Sequence, residues 1–311
     1  RELEQKRIAQ VIQAWNDGFQ GAILLHGDRY SGKSSLGDWM SQQYFRGKTY
    51  ELQPKRSIMI SKSKIDISND LIKSIRLFIE RVQYARPMIW IDDLELWFSD
   101  EYLSDEVATE LVNLISEYGK KVFFAVSVGS WMYQRLNRVI DLDHVFQSTI
   151  ELSPFSKDIL KEAILLRHGA SHKTLIGKDG QELVKIEFDK YVSQIARQSN
   201  GNIGHALQLW VNSINYKDDQ HVQIEEVMTY KFPDFITSDN GILLSTLLIY
   251  RRLSEEELQS LLGPSYDDRY SNEVARLVGY GIIRKAYNGT LSINERVVPA
   301  ITMALRQNRF I

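Results

Sequence analysis

The 311-residue chain has no cysteine, which excludes disulfides, thiolate zinc sites and cysteine nucleophiles. A reducing compartment fits that absence, and a soluble chain in the cytoplasm is the expectation. The sequence also lacks an excess of either charge, with 38 Lys+Arg against 40 Asp+Glu for a net of −2. Any surface for nucleic acid would therefore have to be a local patch. No stretch approaches the ~18 mostly apolar residues of a membrane span. The longest candidate, residues 122–132, is interrupted by hydroxyl and glycine residues and reads as a buried strand. Internal repeats and low-complexity tracts are absent as well. Residue 1 is Arg1, without an initiator Met or a signal-peptide pattern, so the sequence is expected to be cut from a longer protein. What remains is 43% apolar and 25% charged residues, a globular composition of a length that suggests two or three domains.

Hydrophobic periodicity divides the chain into three parts. Residues 1–15 place Leu3, Ile8, Val11, Ile12 and Trp15 at helical spacing. Short apolar runs at 22–26, 57–61, 88–91, 122–128 and 145–152 read as strands, with helical patterns at 69–84 and 104–119 between them. Strands alternating with helices predict a parallel sheet covered on both faces. After Pro154 the patterns are helical, at 156–168, 188–199 and 203–213. An insertion at 173–187 carries a Lys178-Asp179-Gly180 turn and reads as a small hairpin. From Gly241 three helices are expected at 242–250, 254–262 and 266–278. Two β-prone runs then flank Tyr287-Asn288-Gly289, a hairpin turn, before a last helix at 297–305. Three helices and a hairpin outline a winged helix. The expected domains are an α/β unit over 1–152, a helical lid with the hairpin insertion over 153–235, and a winged-helix-like unit over 236–311.

Gly27-Asp28-Arg29-Tyr30-Ser31-Gly32-Lys33-Ser34 matches the phosphate-binding pattern G-x-x-x-x-G-K-[ST] without a mismatch. Glycines let the backbone turn its N–H groups onto phosphates. Lys33 would reach the terminal phosphates and Ser34 would coordinate Mg²⁺, while the helix starting there, with Ser35 in its first turn, presents its positive end. Met88-Ile89-Trp90-Ile91-Asp92-Asp93 is a buried strand ending in acids at the carboxyl edge of the sheet, where ligands bind in open α/β folds. Asp92 is the natural partner of Mg²⁺, through water, and Asp93 would orient or deprotonate the attacking water. No guanine-reading Asn-Lys-x-Asp follows in the required order, so adenine is favoured over guanine.

Together these motifs resemble the AAA+ proteins and their signalling relatives, the STAND ATPases, over about residues 1–215. The resemblance implies a P-loop NTPase sheet flanked by helices, followed by a helical lid and a winged helix, with ATP or ADP and Mg²⁺ bound. It also implies a polar sensor residue at the end of the strand after the acidic one, either Ser127 or Ser130. An arginine reaching a neighbouring subunit's nucleotide is implied as well, either Arg138 or Arg135, and with it homo-oligomers that form on ATP binding. Two departures stand out. Gly204-His205 occupies the place where many AAA+ enzymes carry a lid arginine, and Asp92-Asp93 replaces the common Asp-Glu. Glu95 could compensate for the shorter carboxylate only if the turn brings it round. His205 reads as a packed lid histidine.

The last 71 residues hold nine Lys+Arg and seven Asp+Glu. The expected third helix carries Asp267, Asp268, Arg269, Glu273 and Arg276, a poor surface for phosphates, while Arg284 and Lys285 on the hairpin are better placed. DNA and protein both remain open as partners of residues 236–311. The sequence thus predicts a Mg²⁺-dependent ATPase acting as a nucleotide-controlled switch or assembly factor. The alternative is a non-motor module with a structural or very slowly hydrolysed nucleotide.

Overall fold

The computed structural model describes residues 1–54, 66–68, 70–82, 86–98, 104–227 and 236–311. Helix α1 (Glu2–Asn16) leads into β1 (Ala22–Gly27), α2 (Lys33–Tyr44), β2 (Thr49–Pro54), β3 (Asp66–Ser68), α3 (Leu71–Arg81) and β4 (Met88–Ile91). A 3₁₀ turn (Leu94–Trp97) follows, then α4 (Ser104–Tyr118), β5 (Phe123–Gly129), α5 (Ser130–Ile140), the single turn α6 (Leu142–Val145) and β6 (Ser148–Glu151). The strands form one parallel sheet in the order β3-β2-β4-β5-β1-β6.

Alternation along the strands assigns the two faces, because successive side chains point to opposite sides. Ile23, Leu25, Met88, Trp90, Phe123 and Ala125 pack with Ile8, Ile12, Trp15, Leu36 and Met40 of α1 and α2. Leu24, Ile89, Ile91, Phe124 and Val126 turn the other way and join α3, α4 and α5. Gly37 of α2 makes room for the Trp90 indole, since a Cβ there would lie 2.4 Å from the ring. Register brings the chemistry to one edge. Gly27 is paired with Gly129 and Ile91 with Val126, so Asp92 and Ser127 come level one residue later. The fold is an α/β P-loop NTPase sheet flanked by helices.

A second core follows β6. Helices α7 (Lys157–Gly169), α8 (Lys185–Ser199) and α9 (Ile203–Asn212) enclose Leu160, Ile164, Val192, Ile195 and Trp210. Strand β7 (Thr174–Ile176) joins β8 (Ile214–Tyr216) and β9 (His221–Ile224) in a small sheet of order β7-β9-β8. Next come α10 (Ser238–Tyr250), α11 (Glu255–Leu262), α12 (Tyr266–Arg269), α13 (Ser271–Gly279), the hairpin β10 (Ile283–Lys285) and β11 (Leu291–Ile293), and α14 (Val298–Gln307). Ser254 caps α11 with a capping box to Glu257, two hydrogen bonds that satisfy orphan N–H groups at its start.

Several expectations are corrected. The strand expected at 57–61 lies outside the described residues; among the described strands β2 pairs with β4 on the side away from β5. The helix expected at 266–278 breaks at Tyr270, whose φ of −112° departs from helical geometry. There the Ser271 hydroxyl donates to the Asp267 carbonyl at 2.8 Å, a side-chain bond that competes with the backbone ladder. In the insertion the expected small hairpin does form, with an antiparallel bridge between Ile176 and Glu182 and Gly177 N–H donating to Gln181 O at 2.8 Å, and β7 pairs in addition with β9 in parallel. The expected strand at 145–152 shortens to β6 (Ser148–Glu151), its first residue, Val145, lying in α6. Among the described residues no helix is long and apolar enough to cross a membrane.

Candidate functional site

Strand β1 ends at Gly27 and the chain turns through Tyr30 (φ 63°) and Gly32 (φ 99°) before α2 begins at Lys33. Gly32 is required there, because that backbone is strained for any L side chain. Lys33 is 5% exposed. Its ammonium folds onto its own loop and donates to Gly27 O at 2.9 Å and Asp28 O at 3.1 Å. Around it, Ser31 Oγ and Arg29 Nε are buried without hydrogen-bond partners among the described residues. Buried donors of this kind are costly unless something accepts from them. A loop that offers spare donors and an ammonium fits an anion such as a polyphosphate.

The acids stand at the end of β4. Ser127 is fully buried, donates its hydroxyl to Asp92 Oδ1 at 2.5 Å and accepts from Asp93 N–H at 2.8 Å. Burial, then the neighbouring Asp93 charge, push Asp92 up to about 6, against hydrogen bonds from Ser127 and Ser34 that lower it. The Ser34 hydroxyl and the Asp92 carboxylate, the two residues expected at Mg²⁺, are therefore brought together. Asp93 sits in a left-handed backbone conformation (φ 49°, ψ 64°). Its burial would raise its pKa, but Arg251, Lys33 and Arg29 outweigh that and hold it below the usual carboxylate range. The 3₁₀ turn does bring Glu95 round. Glu95 is 3% exposed and accepts from Gly129 N–H at 3.0 Å, while burial and the Asp93 charge raise its pKa. Among the described residues no three acidic or histidine side chains could by themselves hold a metal, so Mg²⁺ here would depend on Ser34 and on oxygens of the nucleotide.

Two further layers close over the loop. From α9, Asn202 caps its own helix by accepting from His205 N–H at 3.1 Å and donates Nδ2 to Arg29 O at 2.7 Å. Gly204 N–H donates to Tyr30 O at 3.2 Å, and the His205 ring stands edge-on to Tyr30 at 5.6 Å. Burial pushes His205 down to about 4, so it is neutral at pH 7, a packed histidine as expected. From the C-terminal residues, Glu295 pairs with Arg29 at 2.7 Å and Arg306 with Asp28 at 3.3 Å. Arg251 pairs with Asp93 and lies 3.4 Å from Glu95. Between these layers lies a cleft of about 850 Å³, lined among others by Arg29, Ser31, Ser130, Asn202, His205 and Arg306. Lys33 and the Asp92-Asp93 pair lie outside its lining.

The expected sensor candidates separate. The Ser127 hydroxyl is already committed to Asp92 and Asp93, whereas Ser130, first residue of α5, lines the cleft. Ser35 is exposed on α2. The two arginines also differ: Arg135 lies 3.8 Å from Asp105 and over the Tyr250 ring, while Arg138 is exposed in the last turn of α5. Sequence reasoning missed Arg251, which reaches the acids after β4, and Glu295 and Arg306, which reach the loop; no local pattern connects such distant parts of the chain.

No family model matches the chain, and no curated protein does. Among solved structures it is similar to the RuvB Holliday junction branch migration motor of Thermotoga maritima, at 15% identity and a TM-score of 0.46, covering 97% of this chain and 94% of that one. It is also similar to Cdc6p of Pyrobaculum aerophilum, at 13% identity and a TM-score of 0.47, covering 99% and 94%. Likenesses this distant carry no functional weight.

Proposed function

We propose that this chain binds ATP with Mg²⁺ and hydrolyses it, as a nucleotide-controlled switch or assembly factor of the AAA+/STAND class. One observation carries the reading: the phosphate-binding loop with its unpartnered donors lies beside an acid pair, Asp92 held by Ser127 and Asp93 lowered in pKa, against its burial, by the charges of Arg251 and Lys33. Lys33 would hold the terminal phosphates in place of its present bonds to Gly27 and Asp28. Ser34 would hold Mg²⁺ directly and Asp92 through water, and the ion when bound supplies positive charge to the phosphate oxygens. Asp93 would orient the attacking water and receive its proton. Ser130 is the better placed of the two sensor candidates, because it lines the cleft while the Ser127 hydroxyl is committed to Asp92 and Asp93.

The proposed units are the sheet domain over 1–152, the lid over 153–235 and a winged-helix-like domain over 236–311. In the last, α10, α11, α12 with α13 and the β10–β11 hairpin take the helical and wing positions. Its cations favour protein over DNA as the partner: Arg269 pairs with Asp239, Arg276 with Glu273 and Lys285 with Glu255. Cations already paired with acids release fewer counterions from a phosphate backbone. The second reading, a module that turns over slowly or not at all, draws support from the pairing of Asp93 with Arg251 and from a lid that offers His205 instead of an arginine.

Asp93→Asn separates the two. Under the ATPase reading the variant keeps its affinity for MgATP and loses phosphate release. If wild type releases no phosphate while retaining nucleotide, the module reading holds; if the variant still turns over, Asp93 does not orient the water.

A further inference from the structure

Arg251 belongs to none of the parts that a P-loop site draws on by sequence: loop, acidic strand, sensor strand or lid. It follows α10, and its backbone takes φ 64° and ψ −43°, a conformation disfavoured for a side chain of this kind. Its guanidinium bridges Asp93 and Glu95, its side chain is 16% exposed, and its Nε is buried with no hydrogen-bond partner among the described residues. A guanidinium has five N–H donors, so this one keeps donors in reserve beside the phosphate loop. Its position is fixed by packing. Leu243, Leu244, Leu247 and Tyr250 of α10 belong to the same buried core as Leu94, Trp97, Met132 and Leu136 of the sheet domain. The other expected sources of positive charge lie elsewhere: Arg135 near Asp105, Arg138 on the exposed face of α5.

We infer that Arg251 is a catalytic residue supplied in cis, whose guanidinium moves from Asp93 to the γ-phosphate when ATP binds. This rests on the ATP reading of the site. A terminal phosphate carries more negative charge than one carboxylate and offers three acceptor oxygens, so it outcompetes Asp93 for a shared guanidinium. Glu95 continues to hold the arginine. The exchange frees Asp93 for the water: the water oxygen bonds to the γ-phosphorus, its proton passes to Asp93, and the bond to the β–γ bridging oxygen breaks with its electron pair leaving on ADP. Charge developing on the transferred group is met by Arg251. With ADP there is no γ-phosphate, and Arg251 returns to Asp93. The site thereby distinguishes the two nucleotides without an arginine at the Gly204-His205 position of the lid.

The test compares wild type, Arg251→Ala and Arg251→Lys by calorimetry with MgATP and MgADP and by steady-state phosphate release. For Arg251→Ala the expected result is an ADP affinity within about twofold of wild type and an ATP affinity about 10- to 100-fold lower, the range for one charge-assisted hydrogen bond. Turnover should fall about 100-fold or more, with Arg251→Lys recovering part of it. Thermal melting without nucleotide checks folding, and if the alanine variant does not fold, the lysine variant carries the comparison. Equal losses of ATP and ADP affinity would show a purely structural arginine. Unchanged kinetics, or faster turnover in Arg251→Ala, would equally overturn the inference, the latter making Arg251 a brake on Asp93. A wild type that binds neither nucleotide would instead sink the ATP reading itself, and the inference with it.

Discussion

Gly204→Ala is a small change with a large expected consequence at the junction of lid and loop. A Cβ at position 204 would lie 2.4 Å from Tyr30 Cβ and 3.1 Å from Tyr30 O. Both atoms belong to or adjoin the loop backbone, so no side-chain rotation relieves the contact. Restoring ordinary van der Waals distance requires about 1 Å of separation between α9 and the loop. A shift of that size takes the 3.2 Å Gly204–Tyr30 bond and the 2.7 Å Asn202–Arg29 bond beyond hydrogen-bonding range. Overpacking costs about 1–3 kcal/mol and each lost bond about 0.5–1.5 kcal/mol, while alanine returns at most about 1 kcal/mol of helix propensity. The variant should therefore be about 1–5 kcal/mol less stable in urea unfolding, and its MgATP affinity should fall about tenfold because the phosphate cradle is displaced. A variant stabilised by helix propensity, with ATP affinity unaltered, would refute the contact between lid and loop.

Two further outcomes are expected. His205 is 8% exposed and its folded pKa is about 4, against 6.5 unfolded. The unfolded chain binds the proton first, so the stability that depends on neutral His205 is complete above pH 6.5 and is lost as pH falls toward 4. The slope is about 1.4 kcal/mol per pH unit. Denaturation at pH 7, 5.5 and 4.5 should show His205→Gln with a flatter dependence than wild type; parallel curves would mean that His205 takes up its proton alike in the folded and unfolded chain. For assembly, light scattering with a non-hydrolysable ATP analogue should show wild type gaining mass and Arg138→Ala hydrolysing more slowly. If the protein stays monomeric at high concentration, or the variant is as active as wild type, Arg138 is a surface residue only.

How much the sequence discloses depends on the range of each interaction. The loop from Gly27 to Ser34 is legible because its chemistry is local: eight consecutive residues contain the glycine, the ammonium and the hydroxyl. Strands β1, β4 and β5 are legible because burial on both faces makes them continuous apolar runs. Strand β2 is not, because Thr49, Tyr50, Glu51 and Gln53 are only half-buried and its sequence alternates weakly. The 3₁₀ turn that buries Glu95 could be anticipated as a condition but not decided, since its partner Gly129 lies on the next strand. Arg251 meets the acids after β4, and Glu295 and Arg306 meet the loop, only through tertiary packing of α10 and α14, and a sequence without aligned relatives carries no local signal for such contacts. One usable hint existed: a lid without its arginine beside three acids implies a cation from another part of the chain.

Calorimetric titration of wild type and Lys33→Ala with MgATP tests the central claim most directly. Lys33 is folded onto the loop that the triphosphate would occupy, so its removal takes away the ammonium without disturbing an apolar core. Wild type should bind MgATP and Lys33→Ala, although folded, should not. Equal binding by the two proteins would contradict the assignment of this loop as the nucleotide site.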